Sequence, residues 1–203
     1  MTVSTITLQT PHGSARVHLH PADNPRAAIV LGHGAGGGIA APDLVTVTKA
    51  ALECDVSVAL VEQPYRVAGR RSPPRAAVLD AAWISIVQQL VEGPLAGIAL
   101  ITGGRSSGAR VACRTAAATG AVGVLCVAFP LVAPSGVSRQ DEIDAVEVSV
   151  LVVQGASDRF GIPEPTARRS VVIVRGDHGL KSDLAAVGEA VAPWLLVQVA
   201  LVD

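Results

Sequence analysis

The sequence predicts a three-layer α/β fold on a mostly parallel, twisted sheet, and three features carry that expectation. Near-continuous apolar runs recur at 27–31, 56–61, 98–101, 122–128, 148–153 and 171–174, as strands covered on both faces require. Segments with helical apolar spacing separate most of them. Glycine-rich or charged loops follow the strands, where open parallel sheets hold ligands.

Taken in order, the chain begins with two alternating segments, Val3 to Leu8 and Ala15 to His20, about the turn Pro11-His12-Gly13. They predict an antiparallel hairpin at the sheet edge. Ala27 to Leu31 then runs into Gly32-His33-Gly34-Ala35-Gly36-Gly37-Gly38. This loop lacks the Lys-Ser/Thr of a phosphate-binding P-loop, so it reads as backbone whose N–H groups face a site, with His33 shaping it. Asp43 is the expected cap of the next helix. Val56 to Val61 leads to Tyr65 and a cluster of arginines. Ser72 and Pro73 open a helix bearing Leu79, Trp83, Ile86 and Leu90 on one face, stopped by Gly93-Pro94. After the final strand, Ser182 caps a helix in which Pro193 marks a kink.

The most informative stretch is Ile98 to Gly120. An apolar strand passes through Gly103-Gly104-Arg105-Ser106-Ser107-Gly108 into a small-residue helix ended by Gly120. Gly104-x-Ser106-x-Gly108 places a serine at a sharp bend, with glycines that let strand and helix approach closely. Ser106 is the candidate nucleophile. A serine hydroxyl needs a base, and the base needs an anion to orient it. Asp158 follows the penultimate strand and His178 the last, in the order Ser, Asp, His. Asp177 competes for the acid role, but it directly precedes the base and reaches its Nδ1 poorly. For the oxyanion the expected donors are the N–H groups of Ser107 and Ala35. Tyr65, Arg70, Arg71 and Arg105 are candidate substrate-binding residues, the arginines suited to a carboxylate or phosphate. Pairing of that arginine cluster with Glu62 is the alternative.

Composition narrows the partners. With 50% hydrophobic and 16% charged residues over 203 positions, the chain reads as one globular domain, 1–203. Two Trp, one Tyr and two Phe with a net charge of −1 offer neither stacking platform nor attraction for nucleic acid. Cys54, Cys113 and Cys126 lack metal-ligand spacing and read as small buried hydrophobes. No metal or cofactor is expected. The first residues carry no basic-then-apolar leader, and Val191 to Val202 is too short to span a bilayer, so a cytoplasmic location without membrane attachment is expected. Oligomeric state is not legible.

The segments Gly32 to Gly36, Pro64-Tyr65 with Ala68 to Arg71, Gly103 to Arg110, Val153-Gln154-Gly155 with Asp158 and Phe160-Gly161, and Gly176-Asp177-His178 together resemble the α/β-hydrolase superfamily. Within it they resemble the small KANL/Tex30-like branch near the dienelactone hydrolases. The resemblance spans essentially the whole chain and implies an α/β-hydrolase fold with a serine-hydrolase triad. Dienelactone hydrolases proper use a cysteine nucleophile, whereas position 106 is serine. The segment from Pro130 to Glu147 is too short for a substantial lid. The expected activity is acyl-ester hydrolysis on small soluble substrates through an acyl-enzyme; the alternative is a binding or scaffold protein that keeps the fold without useful turnover.

Overall fold

The computed structural model describes residues 3–201. Met1 and Thr2, from the stretch read as lacking a leader, and Val202, the end of the last apolar segment, lie outside the described residues. Strands β1 (Ser4–Thr10) and β2 (Gly13–His20) form the expected antiparallel hairpin, with Ile6 opposite Val17 and Leu8 opposite Ala15. Then come β3 (Ala27–Gly32), α1 (Pro42–Glu53), β4 (Val56–Glu62), α2 (Pro64–Val67), α3 (Ala76–Val91) and β5 (Ala99–Arg105). The chain continues with α4 (Ser107–Thr119), β6 (Gly123–Val127), α5 (Gln140–Asp144), β7 (Ser149–Gly155), β8 (Arg169–Val174) and α6 (Leu184–Ala200). The eight strands make one sheet in the order β1-β2-β4-β3-β5-β6-β7-β8, parallel from β4 onward.

The apolar runs owe their composition to two covered faces. Along β3, Ile29 and Leu31 join a core under α1 and α6, whereas Ala28 and Val30 join a second core under α3. A third cluster packs α4 against β6 and β7. Trp83 of α3 is wholly buried, and its truncation to Ala is expected to cost about 3–5 kcal/mol. Between β6 and β7 the five-residue α5 is the one helix among the described residues, so no substantial lid covers the rim.

Three expected helix starts shift. Asp43 does not cap α1: Pro42 occupies the first helical position with its fixed φ, Ala41 takes the N-cap, and the Asp43 carboxylate turns inward. Nor does α3 begin at Ser72-Pro73; its N-cap is Arg75. Pro74 disfavours helical geometry at the residue before it, which holds Pro73 out of the helix. At α6 the cap is Asp183, whose side chain accepts the Ala186 N–H, rather than Ser182. Glu62 pairs with His18 and Arg16 of β2, not with the arginines that follow it.

Candidate active site

Ser106 lies between β5 and α4 with φ 52° and ψ −106°, left-handed backbone that costs a non-glycine residue about 1–3 kcal/mol. Its neighbours hold it there. Its N–H donates to the Val127 carbonyl at 2.9 Å, and its own carbonyl accepts from Arg110 at 3.2 Å as α4 begins. A Cβ at either Gly104 or Gly108 would collide with the Gly32 carbonyl. The two glycines therefore let β5 and α4 close onto β3, and that contact projects the serine above the sheet edge.

His178, in the loop after β8, brings Nε2 within 2.9 Å of Ser106 Oγ. Its Nδ1 is 2.8 Å from Asp158 Oδ2. An ionised carboxylate only accepts, so the proton belongs on Nδ1 and leaves Nε2 as the acceptor for the serine hydroxyl. The Phe160 ring meets the imidazole edge-on, with centroids 4.7 Å apart. Asp158 is held by the Phe160 N–H on Oδ1 at 2.9 Å, and its side chain is wholly buried, whereas that of His178 is 20% exposed. The base is thus open on one side while its partner is shielded. Asp177, the competing acid, accepts from Gly179 N–H at 2.8 Å instead.

The glycine-rich loop after β3 passes beside the serine. A Cβ on Gly34 would lie 3.7 Å from Ser106 Cβ and 2.9 Å from Arg105 Nη1. His33 shapes this loop: Nδ1–H donates to the Gly34 carbonyl at 2.8 Å, and Nε2 accepts from the Gln63 N–H at 3.2 Å. Burial holds the imidazole below its ordinary pKa, outweighing that carbonyl. Ser107 opens α4, so its N–H lacks an intrahelical acceptor.

Of the expected substrate contacts, Tyr65 is turned into the protein, and Arg105, which borders the adjoining groove, has Nε and Nη2 on protein acceptors. Tyr65 is 3% exposed and donates its hydroxyl to the Ala35 carbonyl at 3.0 Å, bracing the loop; burial pushes its phenol pKa up. Arg105 donates from Nε to Asp43 at 2.7 Å and from Nη2 to the His178 carbonyl at 3.0 Å. Its composition as a loop arginine beside the nucleophile concealed this role, since the partner lies on α1. Arg70 and Arg71 are exposed, with Arg70 beside His12 and Pro74. A groove of about 390 Å³ opens next to the site, lined by Gly37, Gly38, Ala41, Arg105, Gly179 and Lys181. A larger cavity, about 550 Å³, lies by the opposite ends of β7 and β8, with Val150 near the start of β7 and Arg169 opening β8. It is remote from the hydroxyl.

Among the described residues there is no group of three or more His, Cys, Asp and Glu side chains arranged to hold a metal ion, and no helix long and apolar enough to cross a membrane. The three cysteines are buried and unbridged.

A family model described as an alpha/beta hydrolase domain matches residues 25–187. Among solved structures, a serine hydrolase without a lid from Xanthomonas campestris is 19% identical, with a TM-score of 0.79 over 96% of this chain and 95% of the other. Est1E from Butyrivibrio proteoclasticus is 15% identical, with a TM-score of 0.80 over 97% and 99%. A dienelactone hydrolase from Anabaena variabilis is 15% identical, with a TM-score of 0.78 over 97% of each chain. No curated protein matches.

Proposed function

The chain belongs to the alpha/beta hydrolase domain family, and on that premise we propose that it is a serine hydrolase acting on small, soluble acyl esters. One observation carries the reading: a hydroxyl, an imidazole and a buried carboxylate follow one another at 2.9 and 2.8 Å, the hydroxyl on a half-buried residue at the bend between β5 and α4. In this reading Ser106 Oγ attacks the acyl carbon as its proton passes to His178 Nε2, and Asp158 holds the imidazolium through Nδ1–H. The N–H groups of Ala35 and Ser107 meet the developing oxyanion, each worth about 2.7–4 kcal/mol in such a site. The protonated His178 then delivers its proton to the departing alcohol, leaving the acyl group on Ser106. Water, deprotonated by the same imidazole, attacks that ester; the bond to Ser106 Oγ breaks, the carboxylic acid leaves, and the imidazolium returns its proton to Oγ.

The adjoining groove supports small substrates, since about 390 Å³ lined by small residues together with Asp43, Arg105 and Lys181 suits a short, partly polar substrate rather than a lipid chain. The test is a panel of acetyl to palmitoyl esters at neutral pH. Short-chain esters are expected to turn over fastest, with activity lost in Ser106→Ala and His178→Ala. Preference for long-chain emulsions would overturn the substrate class. Absence of turnover on the whole panel would favour a binding role for the fold.

A further inference from the structure

Gln154 is the penultimate residue of β7 and is wholly buried, four residues before Asp158. Its Nε2 faces three oxygens: Asp158 Oδ2 at 2.8 Å, the Gly161 carbonyl at 2.9 Å and the Phe129 carbonyl at 3.0 Å. Its Oε1 is buried without a partner. The opposite amide orientation would set an oxygen against three acceptors, so the NH2 group belongs where it stands. The Asp158 oxygen that it meets is also the one facing His178 Nδ1.

We propose that Gln154 is a positioning residue that acts on His178 through Asp158. The carboxylate then has all its partners in fixed places: Phe160 N–H on Oδ1, with His178 and Gln154 sharing Oδ2. The Gln154 N–H stops the carboxylate from swinging away from the imidazole. It also draws off part of the negative charge that would otherwise stabilise imidazolium. The same amide ties the loop after β6, through Phe129, to the loop after β7, through Asp158 and Gly161. An unpaired Oε1 disfavours burial, so the use of this amide lies in its donors, which meet all three facing oxygens.

The inference deepens the serine-hydrolase reading, and its central readout needs no turnover. Gln154→Met keeps length but removes both donors. Its pH dependence isolates the Asp158–His178 pair, because the other charged groups nearby are untouched: Arg105 on the His178 carbonyl, Arg159 stacked on Phe160, Asp177 on the Gly179 N–H and Lys181 across the groove. Expected for Gln154→Met is a kcat about tenfold lower, or about 1.4 kcal/mol, with KM changed little and the acid limb of the kcat profile moved to higher pH. The proton NMR signal of His178 Nδ1–H is expected to shift and broaden in the same variant. Gln154→Glu, matched in shape, is expected to lose rate progressively as pH rises and the introduced carboxyl ionises against Asp158; it carries the test if the methionine variant does not fold. A folded variant with wild-type kcat, an unmoved acid limb and an unchanged His178 signal would overturn the proposal. A wild-type protein inactive on all esters would instead sink the functional reading, while the NMR comparison would still decide the role of Gln154.

Discussion

Arg105, the residue before Ser106, reaches across the site and donates to the backbone carbonyl of His178 at 3.0 Å, while its Nε is bound to Asp43 at 2.7 Å. One guanidinium thus ties the nucleophile's strand to the loop carrying the imidazole and to the first turn of α1. Its planar fork makes both contacts at once, which a lysine ammonium at the same place reproduces poorly. Arg105→Ala is expected to lower kcat on neutral and anionic esters alike, because the loss acts on His178 rather than on substrate charge. It also strands the Asp43 carboxylate, whose side chain is 1% exposed, at a cost of about 3–5 kcal/mol. Urea unfolding alongside ester kinetics checks both. A selective loss on anionic esters would return Arg105 to substrate binding.

Arg70 and Arg71 differ from Arg105 in being exposed on the rim. If these guanidinium groups bind an acidic group of the substrate, Arg70→Ala or Arg71→Ala raises KM for a carboxylate-bearing ester severalfold and leaves its neutral counterpart unchanged. Equal effects on the two esters, measured side by side, would remove the idea.

At the elbow, Gly108→Ala presses a methyl group onto the Gly32 carbonyl. The Gly32 carbonyl is backbone held by parallel pairing of β3 with β5, and Gly108 sits in the first turn of α4, so neither yields cheaply. A stability loss of about 3 kcal/mol or more is expected, with Ser106 displaced and activity lost even where the protein still folds. Thermal unfolding followed by circular dichroism tests it; an unchanged midpoint would show that β3 and α4 separate more easily than their contact implies.

His33 makes acid stability predictable in sign. Burial lowers its folded-state pKa below the ordinary 6.5, so between that lowered value and about 6.5 the unfolded chain binds more protons than the folded one. Stability from this group is therefore fully present above about pH 6.5 and declines as pH falls through the window, by at most about 1.4 kcal/mol per pH unit. Protonation also removes the Nε2 acceptor of the Gln63 N–H. Unfolding free energies at pH 5 to 7 are expected to slope less steeply in His33→Asn than in the wild type; parallel slopes would contradict this.

Much of the architecture is legible in residue pattern because a parallel strand buried on both faces has few alternatives to Val, Ile, Leu and Ala. The runs at β3, β4 and β6 show it most clearly. The Ser106 bend is legible for a related reason, since a close crossing of backbones leaves glycine as the residue that fits at 104 and 108. Polar residues near helix starts do not reveal the cap, because Asp43, Ser72 and Ser182 all have capping chemistry, whereas Ala41, Arg75 and Asp183 occupy the N-caps. What decides among them is proline geometry at 42 and 74 and, for Asp43, a guanidinium sixty-two residues away in sequence. Tyr65, Arg105 and Gln154 share that difficulty: each acts through a partner on another element, and local spacing carries no mark of such pairs.

The most direct measurement is reaction of the folded protein with a fluorophosphonate, followed by peptide mass mapping. Attack by an activated Ser106 predicts one phosphonyl adduct on the peptide containing that residue, formed more slowly as His178 becomes protonated and absent from Ser106→Ala. A folded wild-type protein that stays unmodified, or one modified equally after Ser106→Ala, would contradict a hydroxyl activated by the imidazole 2.9 Å away.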